Sequence, residues 1–458
     1  MRRSLFLALA LSCAATPALA APDWHEEGRT VFEKLINIPT VQARGEMPKM
    51  TTLLKEKFVA AGITDVTIKE YDDTQAMIVR WPAAGKAKKK PILLLGHMDV
   101  VEAKREDWPR DPFKFEEKDG YYYGRGAIDM KNGITAITMA LVRLKAEGFK
   151  PKRDIIVLFT GDEEVLGNGA LKASTDWRKE VEAEFALNAD AGGGAFLADG
   201  TPLGFGLQTS EKMFQSFGLT VRNSGGHSSR PRPDNAIYEL ASALKKLEAH
   251  RFTPALNETT RAYFTARATQ EKGALGDAMR RWLANEQDGE AADIIEANPA
   301  EVGGTRTRCV ATMLKAGHAE NALPQMANAT VNCRILPGIS AEAVQAELQA
   351  AVGSSVEIAP LDKAYPSPAS PLRADVVKAF TDAVHVRHPG ALIIPQMSAG
   401  ATDGLFFRST GMPVYGVDGA WIIVPDDERA HGKDERIPVK SFNENLDHWH
   451  FMLAKLAG

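Results

Sequence analysis

Residues 91–99, Pro91-Ile92-Leu93-Leu94-Leu95-Gly96-His97-Met98-Asp99, decide the fold. The apolar run reads as a buried strand, and it ends on a histidine and an aspartate. In open α/β sheets, ligands sit at the carboxyl ends of the strands, so His97 and Asp99 stand where an active site belongs. Outward from this stretch, similar apolar runs predict strands over 154–160, 185–189, 391–395 and 413–417. They alternate with helical patterns over 25–38, 47–61, 132–146, 374–386 and 442–456. Strands alternating with longer helices predict an α/β fold with a mostly parallel central sheet.

The middle of the chain changes character. A strand over 214–221, a turn at Ser224-Gly225-Gly226, a helix over 235–250 and a paired-strand pattern around Asn321 suggest an α+β domain inserted into the first. The expected division is a signal peptide at 1–20, a first part of the main domain at 21–211, the inserted domain at 212–338, and a second part of the main domain at 339–458. A charged helical stretch over 270–298 is expected to cover the inserted domain's edge or to widen a contact between copies.

Composition narrows the function classes. The 458 residues carry 55 Lys+Arg against 59 Asp+Glu, a net charge of -4. Such a balance creates no field that favours nucleic acid or an acidic membrane surface, so neither is expected as a partner. Arg2 and Arg3, the short apolar run 5–11 and the small-residue site Ala18-Leu19-Ala20 read as a secretory signal. Export, most simply to a periplasm, is expected, and Cys13, preceded by Ala10-Leu11-Ser12, is a poor lipoprotein site. Without the first twenty residues the net charge becomes -6, and two of the three cysteines, Cys309 and Cys333, remain. They lie in strand-like segments equidistant from Asn321, so antiparallel pairing can set them opposite each other as a disulfide.

Each chemical motif has a bland reading of its own. His97-Met98-Asp99 fits a metal-binding imidazole with an acceptor for its second nitrogen, and equally a satisfied core histidine. Asp129, within Gly124-Arg125-Gly126-Ala127-Ile128-Asp129-Met130-Lys131-Asn132-Gly133, fits a helix cap. Asp162-Glu163-Glu164, after the strand 154–160, fits a solvated acidic turn, although such carboxylates are costly to bury without cations. Asp190 closes the strand 185–189, and His431 lies in a polar loop. The set His97, Asp129, Glu163/Glu164, Asp190 and His431 changes the balance. Two imidazoles and three carboxylates suit two zinc ions, with cobalt or manganese as substitutes, and leave one glutamate to act on water.

In order and spacing GHMDVV, GRGAIDMKNG, GDEE, the Asp190 strand end, GGHSSRP, NALP and AHGKDER resemble the co-catalytic di-zinc metallopeptidase family. That family includes glutamate carboxypeptidase, carnosine-type dipeptidases, aminoacylase and succinyl-diaminopimelate desuccinylase. The resemblance implies a catalytic domain of the zinc-peptidase type carrying an inserted lid. It also implies that His97 and Asp190 hold one zinc, that Glu164 and His431 hold the other, and that Asp129 bridges them. Asp99 would brace His97, and Glu163 would be the general base for amide hydrolysis. His227 of GGHSS matches a histidine that stabilises the oxyanion. Asn321 and Arg334 match lid residues that contact substrate, the arginine gripping a carboxylate, with a structural salt bridge as the competing role of Arg334. Thr402 falls in a segment matching the substrate-side loop.

Two departures refine the expectation. Asp190 stands where carboxypeptidase and acylase members often carry Glu, which tilts the reading toward an exopeptidase or dipeptidase, with N-acyl amino acids as the alternative substrates. Met130 stands where Asp or Asn is frequent. An idle two-lobed binding protein would need neither five metal ligands nor the spare Glu163. The resemblance also makes a homodimer through the lid an expected assembly.

Overall fold

A computed structural model of the chain describes residues 22–165 and 167–458. The expected signal segment and Cys13 lie outside the described residues. At the centre is an eight-stranded sheet in the order Asp65–Tyr71, Thr74–Trp81, Ile155–Thr160, Ile92–His97, Phe185–Phe196, Val414–Ile423, Pro202–Glu211 and Ile393–Ser398. The four strands from Ile155–Thr160 to Val414–Ile423 run parallel, and an antiparallel hairpin closes one side.

The run at 92–95 is apolar throughout because it feeds two cores. Ile92 and Leu94 pack with Phe32, Phe58, Ile137, Phe380 and Trp449, which the helices Trp24–Ile36, Met47–Ala60, Lys131–Ala146, Ala374–His385 and Val439–Ala457 bring to one face. Leu93 and Leu95 point the other way, to Ala170, Ala173, Phe406 and Phe407. Side chains alternate across a strand, so a strand covered on both faces needs an apolar residue at every position.

The strand predicted to stop at 189 continues to Phe196. Asp190 therefore lies inside a strand, not at its end. Parallel pairing with Ile92–His97 stops at Asn188, and beyond it the chain keeps pairing with Val414–Ile423 and turns to pair with Pro202–Glu211. Gly192 and Gly193 carry φ of +104° and +88°, and a Cβ on Gly193 would lie 2.8 Å from the Ala420 carbonyl oxygen. Glycine alone allows that passage at no steric cost, and a glycine run read from sequence looks like a strand's end.

The lid is a four-stranded antiparallel sheet, Arg308–Ala316, Met326–Ile335, Met213–Arg222 and Glu357–Pro360, backed by Ala236–Ala249 and Ala341–Val352. It runs past the boundary expected at 338, because its second helix and fourth strand come from 341–360 and bury Val344, Leu348 and Ile358 in the lid core. Cys309 and Cys333 are register partners and form a disulfide, with Cα atoms 4.1 Å apart.

The charged stretch over 270–298 does not cover the lid's edge strand. With the helix before it, it forms Glu258–Gln270, Gly273–Ala284 and Gly289–Glu296, which enclose a small core of Phe264, Met279, Trp282 and Ile295. The first helix lies against the Ile393–Ser398 edge of the central sheet, and the Thr259 and Thr209 hydroxyls meet at 2.6 Å. Most of the stretch's charges face solvent, with Glu296 buried and accepting the Gly303 and Thr305 N–H groups, while its apolar residues are spaced to meet inside. No helix among the described residues is long and apolar enough to cross a membrane.

Candidate metal centre

Five side chains from five separate segments converge beyond the carboxyl ends of the central strands. His97 ends its strand fully buried, with Nε2 3.1 Å from Asp129 Oδ1 and 3.4 Å from Asp190 Oδ1. His431 Nε2 lies 3.1 Å from the other Asp129 oxygen and 2.9 Å from Glu164 Oε2. Asp129 thus offers one oxygen toward each imidazole, the arrangement a bridging carboxylate requires. Within the cluster, the ligand atoms of His97, Asp129 and Glu164, and those of His97, Glu163 and Asp190, lie within 4.8 Å of one another.

The residues fit a pair of divalent ions by their chemistry. Imidazole nitrogens and carboxylate oxygens, with no thiolate, suit zinc and its borderline relatives. Each histidine must present a free nitrogen, and His97 does so because its Nδ1 is held 3.0 Å from the Asp99 carbonyl oxygen. The Asp99 carboxylate is farther from that nitrogen, at 3.5 Å. Its oxygens instead accept the backbone N–H groups of Glu163 at 3.2 Å and Glu164 at 3.0 Å. Asp99 therefore braces the histidine through its backbone and the Glu163-Glu164 turn through its side chain.

Crowded carboxylates dictate the electrostatics. Burial disfavours a charged His97, but Asp190, Asp129 and Asp99 outweigh it and hold its pKa well above the usual value. Hydrogen bonds to Asp129 and Glu164 raise His431 to about 10. Burial lifts Asp190 to about 6, and burial together with the Asp190 charge drives Glu163 well above the ordinary carboxylate range. Asp129 goes the other way, because the two histidines overcome the burial that would raise it. Without cations the cluster keeps protons that metal ions would displace.

Glu435 and Arg125 are functional residues that sequence reasoning missed, although both lie inside the quoted motifs. Glu435, fully buried, accepts the backbone N–H groups of Gly126 at 3.0 Å, Ile128 at 2.8 Å and Asp129 at 3.0 Å, and a guanidinium bond from Arg125 at 2.6 Å. Arg125 also donates to the His431 and Gly432 carbonyls at 3.2 and 3.0 Å, holding His431 at a φ of +60°. The signal was one unassigned charge of each sign among the other charged residues of the two motifs; their pairing across 310 positions is visible only in three dimensions.

No hydrogen bond among the described residues joins His227, Asn321 or Arg334 to the ligand cluster. His227 and Ala322 are strand partners, and the Ser228 N–H donates to the Asn321 carbonyl at 3.1 Å, which brings His227 and Asn321 together. His227 Nδ1 is engaged by Ser229 at 2.8 Å. Arg334 stacks over Phe214 at 4.9 Å and donates to the Ala399 carbonyl at 3.1 Å, and no carboxylate among the described residues pairs with it. Thr402 does not present its side chain to a substrate. It is buried, and its hydroxyl is shared among Asn188, Glu211 and the Gly404 N–H. The loop is anchored there because Glu211, buried against Arg408, also accepts the Thr402 N–H. Its neighbour Asp403, also missed, is buried with one oxygen on the Thr160 hydroxyl.

The comparisons with known proteins agree with this geometry. The family model described as peptidase family M20/M25/M40 matches residues 93–455. An N-fatty-acyl-amino acid synthase/hydrolase of Xenopus tropicalis is 31% identical over 358 residues, covering 76% of this chain and 69% of that protein. Aminoacylase-1A of Rattus norvegicus is 26% identical over 451 residues, covering 95% of this chain and 97% of that one. Among solved structures, an M20 family metallo-carboxypeptidase of Sulfolobus solfataricus shares the fold with a TM-score of 0.68 at 19% identity, covering 94% of this chain and 99% of that one. Human carnosine dipeptidase 1 does so at 0.61 and 15%, covering 94% and 97%. Motifs, site and family model lead to one conclusion: this chain is a member of peptidase family M20/M25/M40, hydrolases that act on the amide bonds of peptides and N-acyl amino acids.

Proposed function

We propose that this chain is an exported two-zinc hydrolase that cleaves an amide whose amine half is an amino acid with a free carboxylate. N-acyl amino acids and dipeptides both meet that description. The observation that carries the reading is Glu163, a half-buried carboxyl beside His97 and Asp190 that accepts no hydrogen bond from any described group. When bound, two divalent ions lower the pKa of water from 15.7 to about 7 and polarise a carbonyl.

The chain's own residues do the rest. Glu163 takes a proton from the attacking water and delivers it to the leaving amine. His227, with Nδ1 engaged by Ser229, has Nε2 left to donate to the developing oxyanion. Arg334, aligned by Phe214 and Ala399 and unpaired with any described carboxylate, grips the substrate carboxylate, with Asn321 beside His227 completing the lid's contacts.

The acyl-amino-acid arm is supported by the relatives named above, and the dipeptide arm by aspartate at position 190. Export is supported by the signal-like amino terminus and by the Cys309–Cys333 disulfide, a bond that persists in oxidising compartments. A homodimer through the lid is supported by its edge strand Arg308–Ala316, where Val310, Met313 and Leu314 are 60%, 69% and 66% exposed on an unpaired edge.

Elemental analysis and a hydrolysis screen before and after chelation test the reading. Expected are two zinc ions per chain and chelation-sensitive cleavage of N-acyl amino acids or dipeptides with a free carboxylate. Cleavage only of substrates whose carboxylate is blocked would overturn it.

A further inference from the structure

We propose that Lys212, Arg308 and Arg334 form a site for a second carboxylate at the root of the lid, so that the enzyme favours amides whose amine half is glutamate or aspartate over those ending in a neutral amino acid. This rests on the amide-hydrolase reading above, in which Arg334 takes one carboxylate, and adds the class of the amine half.

Lys212 joins the central strand Pro202–Glu211 to the lid strand Met213–Arg222, and only 2% of it is exposed. A buried ammonium ordinarily has a carboxylate partner. Here Nζ donates one hydrogen bond, to the Arg306 carbonyl at 2.8 Å, and pairs with no carboxylate among the described residues. An ammonium carries three donors, so two are left. Gly303, at a φ of +79°, gives it room, since a Cβ there would lie 2.8 Å from Nζ.

Two further cations gather around it. Arg308 and Arg334 are register partners in the lid sheet, so their side chains leave the same face directly opposite each other. Like charges so placed destabilise a strand pair. Glu296 lies 3.7 Å from Arg308, and its oxygens already accept the Gly303 and Thr305 N–H groups. Three cations thus share one carboxylate. Burial brings Lys212 down to about 8, with Glu296 opposing that change and Arg308 and Arg334 assisting it. A bound anion offsets the repulsion.

The space for that anion adjoins the metal centre. Lys212 and Gly303 line a cavity of about 230 Å³ together with Gln396, Ser398 and Ala399, room enough for a carboxyethyl side chain. The Lys212 N–H donates to the Ser398 carbonyl at 2.9 Å and Arg334 donates to the Ala399 carbonyl at 3.1 Å, so the two cationic residues hold consecutive carbonyls of one loop. Glu301, the carboxylate in this lining, is taken up by Tyr263 at 2.9 Å and Arg267 at 3.1 Å. Tyr263, Glu301 and Gln396 also line the larger cavity that begins at Asp129 and Asp190. A substrate whose α-carboxylate meets Arg334 therefore sends the side chain of its amine half toward Lys212.

The test uses the metal-loaded protein and the acetyl and alanyl derivatives of glutamate, glutamine and leucine. Glutamine matches glutamate in shape and lacks only the charge. Turnover is measured with the wild-type protein, and affinity by calorimetry with Glu163→Gln, which holds substrate uncleaved. The wild-type kcat/KM is expected to be about tenfold or more higher for glutamate than for glutamine. Lys212→Met, which keeps the stem and removes the ammonium, is expected to abolish that preference. Arg308→Gln, at a half-exposed position, is expected to lower it about threefold. Should Lys212→Met not fold, Arg308→Gln decides alone. Equal turnover of the glutamate and glutamine derivatives, or a preference that neither variant lowers, overturns the second-carboxylate site while leaving the hydrolase reading intact. Tighter glutamate binding that Lys212→Met abolishes in the Glu163→Gln protein, with no turnover by the wild type, supports the site and overturns the hydrolase reading; equal binding of the glutamate and glutamine derivatives overturns the site.

Discussion

Glu435 Oε1 accepts the backbone N–H of Asp129 at 3.0 Å, so a buried carboxylate on the His431 loop sets the position of the carboxylate that lies between both histidines. Its other bonds, to Gly126, Ile128 and Arg125, tie the two motifs into one unit. Removing it strands a buried guanidinium and three N–H groups. Glu435→Ala is expected to lose about 3–5 kcal/mol of stability in a denaturant titration. Glu435→Gln is expected to weaken metal binding about 10–100-fold. Unchanged affinity in both variants would show that Asp129 needs no such support.

The proposed function places Glu163 in the chemistry and not in the ligand set. Glu163→Gln is expected to lower kcat by about 10²–10⁴-fold while the metal content stays at the wild-type value. A variant that loses metal in proportion to activity would place Glu163 among the ligands instead.

Loading the metal-free protein at pH 7 is expected to release protons. His431 is raised to about 10 by Asp129 and Glu164, and His97 is raised as well, so both hold protons that metal must displace. Calorimetric titrations in buffers of different ionisation enthalpy measure the release directly, and metal affinity is expected to increase with pH. A titration with no buffer dependence would contradict the protonated cluster.

The same shifts fix the sign of the metal-free protein's pH-stability profile. A histidine whose folded pKa lies above its unfolded one stabilises the fold fully below the unfolded value, and that contribution is lost as pH rises through the folded value. Between about pH 6.5 and pH 10 the chelated protein is therefore expected to show a falling Tm. The metal-loaded protein, whose ligands are already deprotonated, is expected to show a flatter profile over that range.

The disulfide closes a separation of 24 residues, and in the chain-entropy account a loop of that size contributes about 3 kcal/mol. Cys309→Ser with Cys333→Ser is expected to lower lid stability by about that amount, measured by denaturant unfolding. Unfolded, unreduced protein is expected to show neither cysteine reactive; labelling of both would remove the bond.

The sequence by itself determined what is local or periodic. Buried strands such as 92–95 must be apolar at every position, and helices such as Met47–Ala60 were legible to within a residue or two. The convergence of the candidate ligands His97, Asp129, Glu164, Asp190 and His431 was legible because metal chemistry restricts which side chains can serve, and short motifs preserve their order. Tertiary structure alone decided what depends on distant partners. The strand through Asp190 runs on to Phe196 because two neighbouring strands supply its hydrogen bonds, while its glycines read locally as a stop. Thr402 turned inward because Asn188 and Glu211 claim its hydroxyl, and the charged helices found a core of their own around Trp282. Glu435 became the anchor of Asp129 only once folding had removed it from water, where an unpaired carboxylate is costly and four convergent donors compensate it.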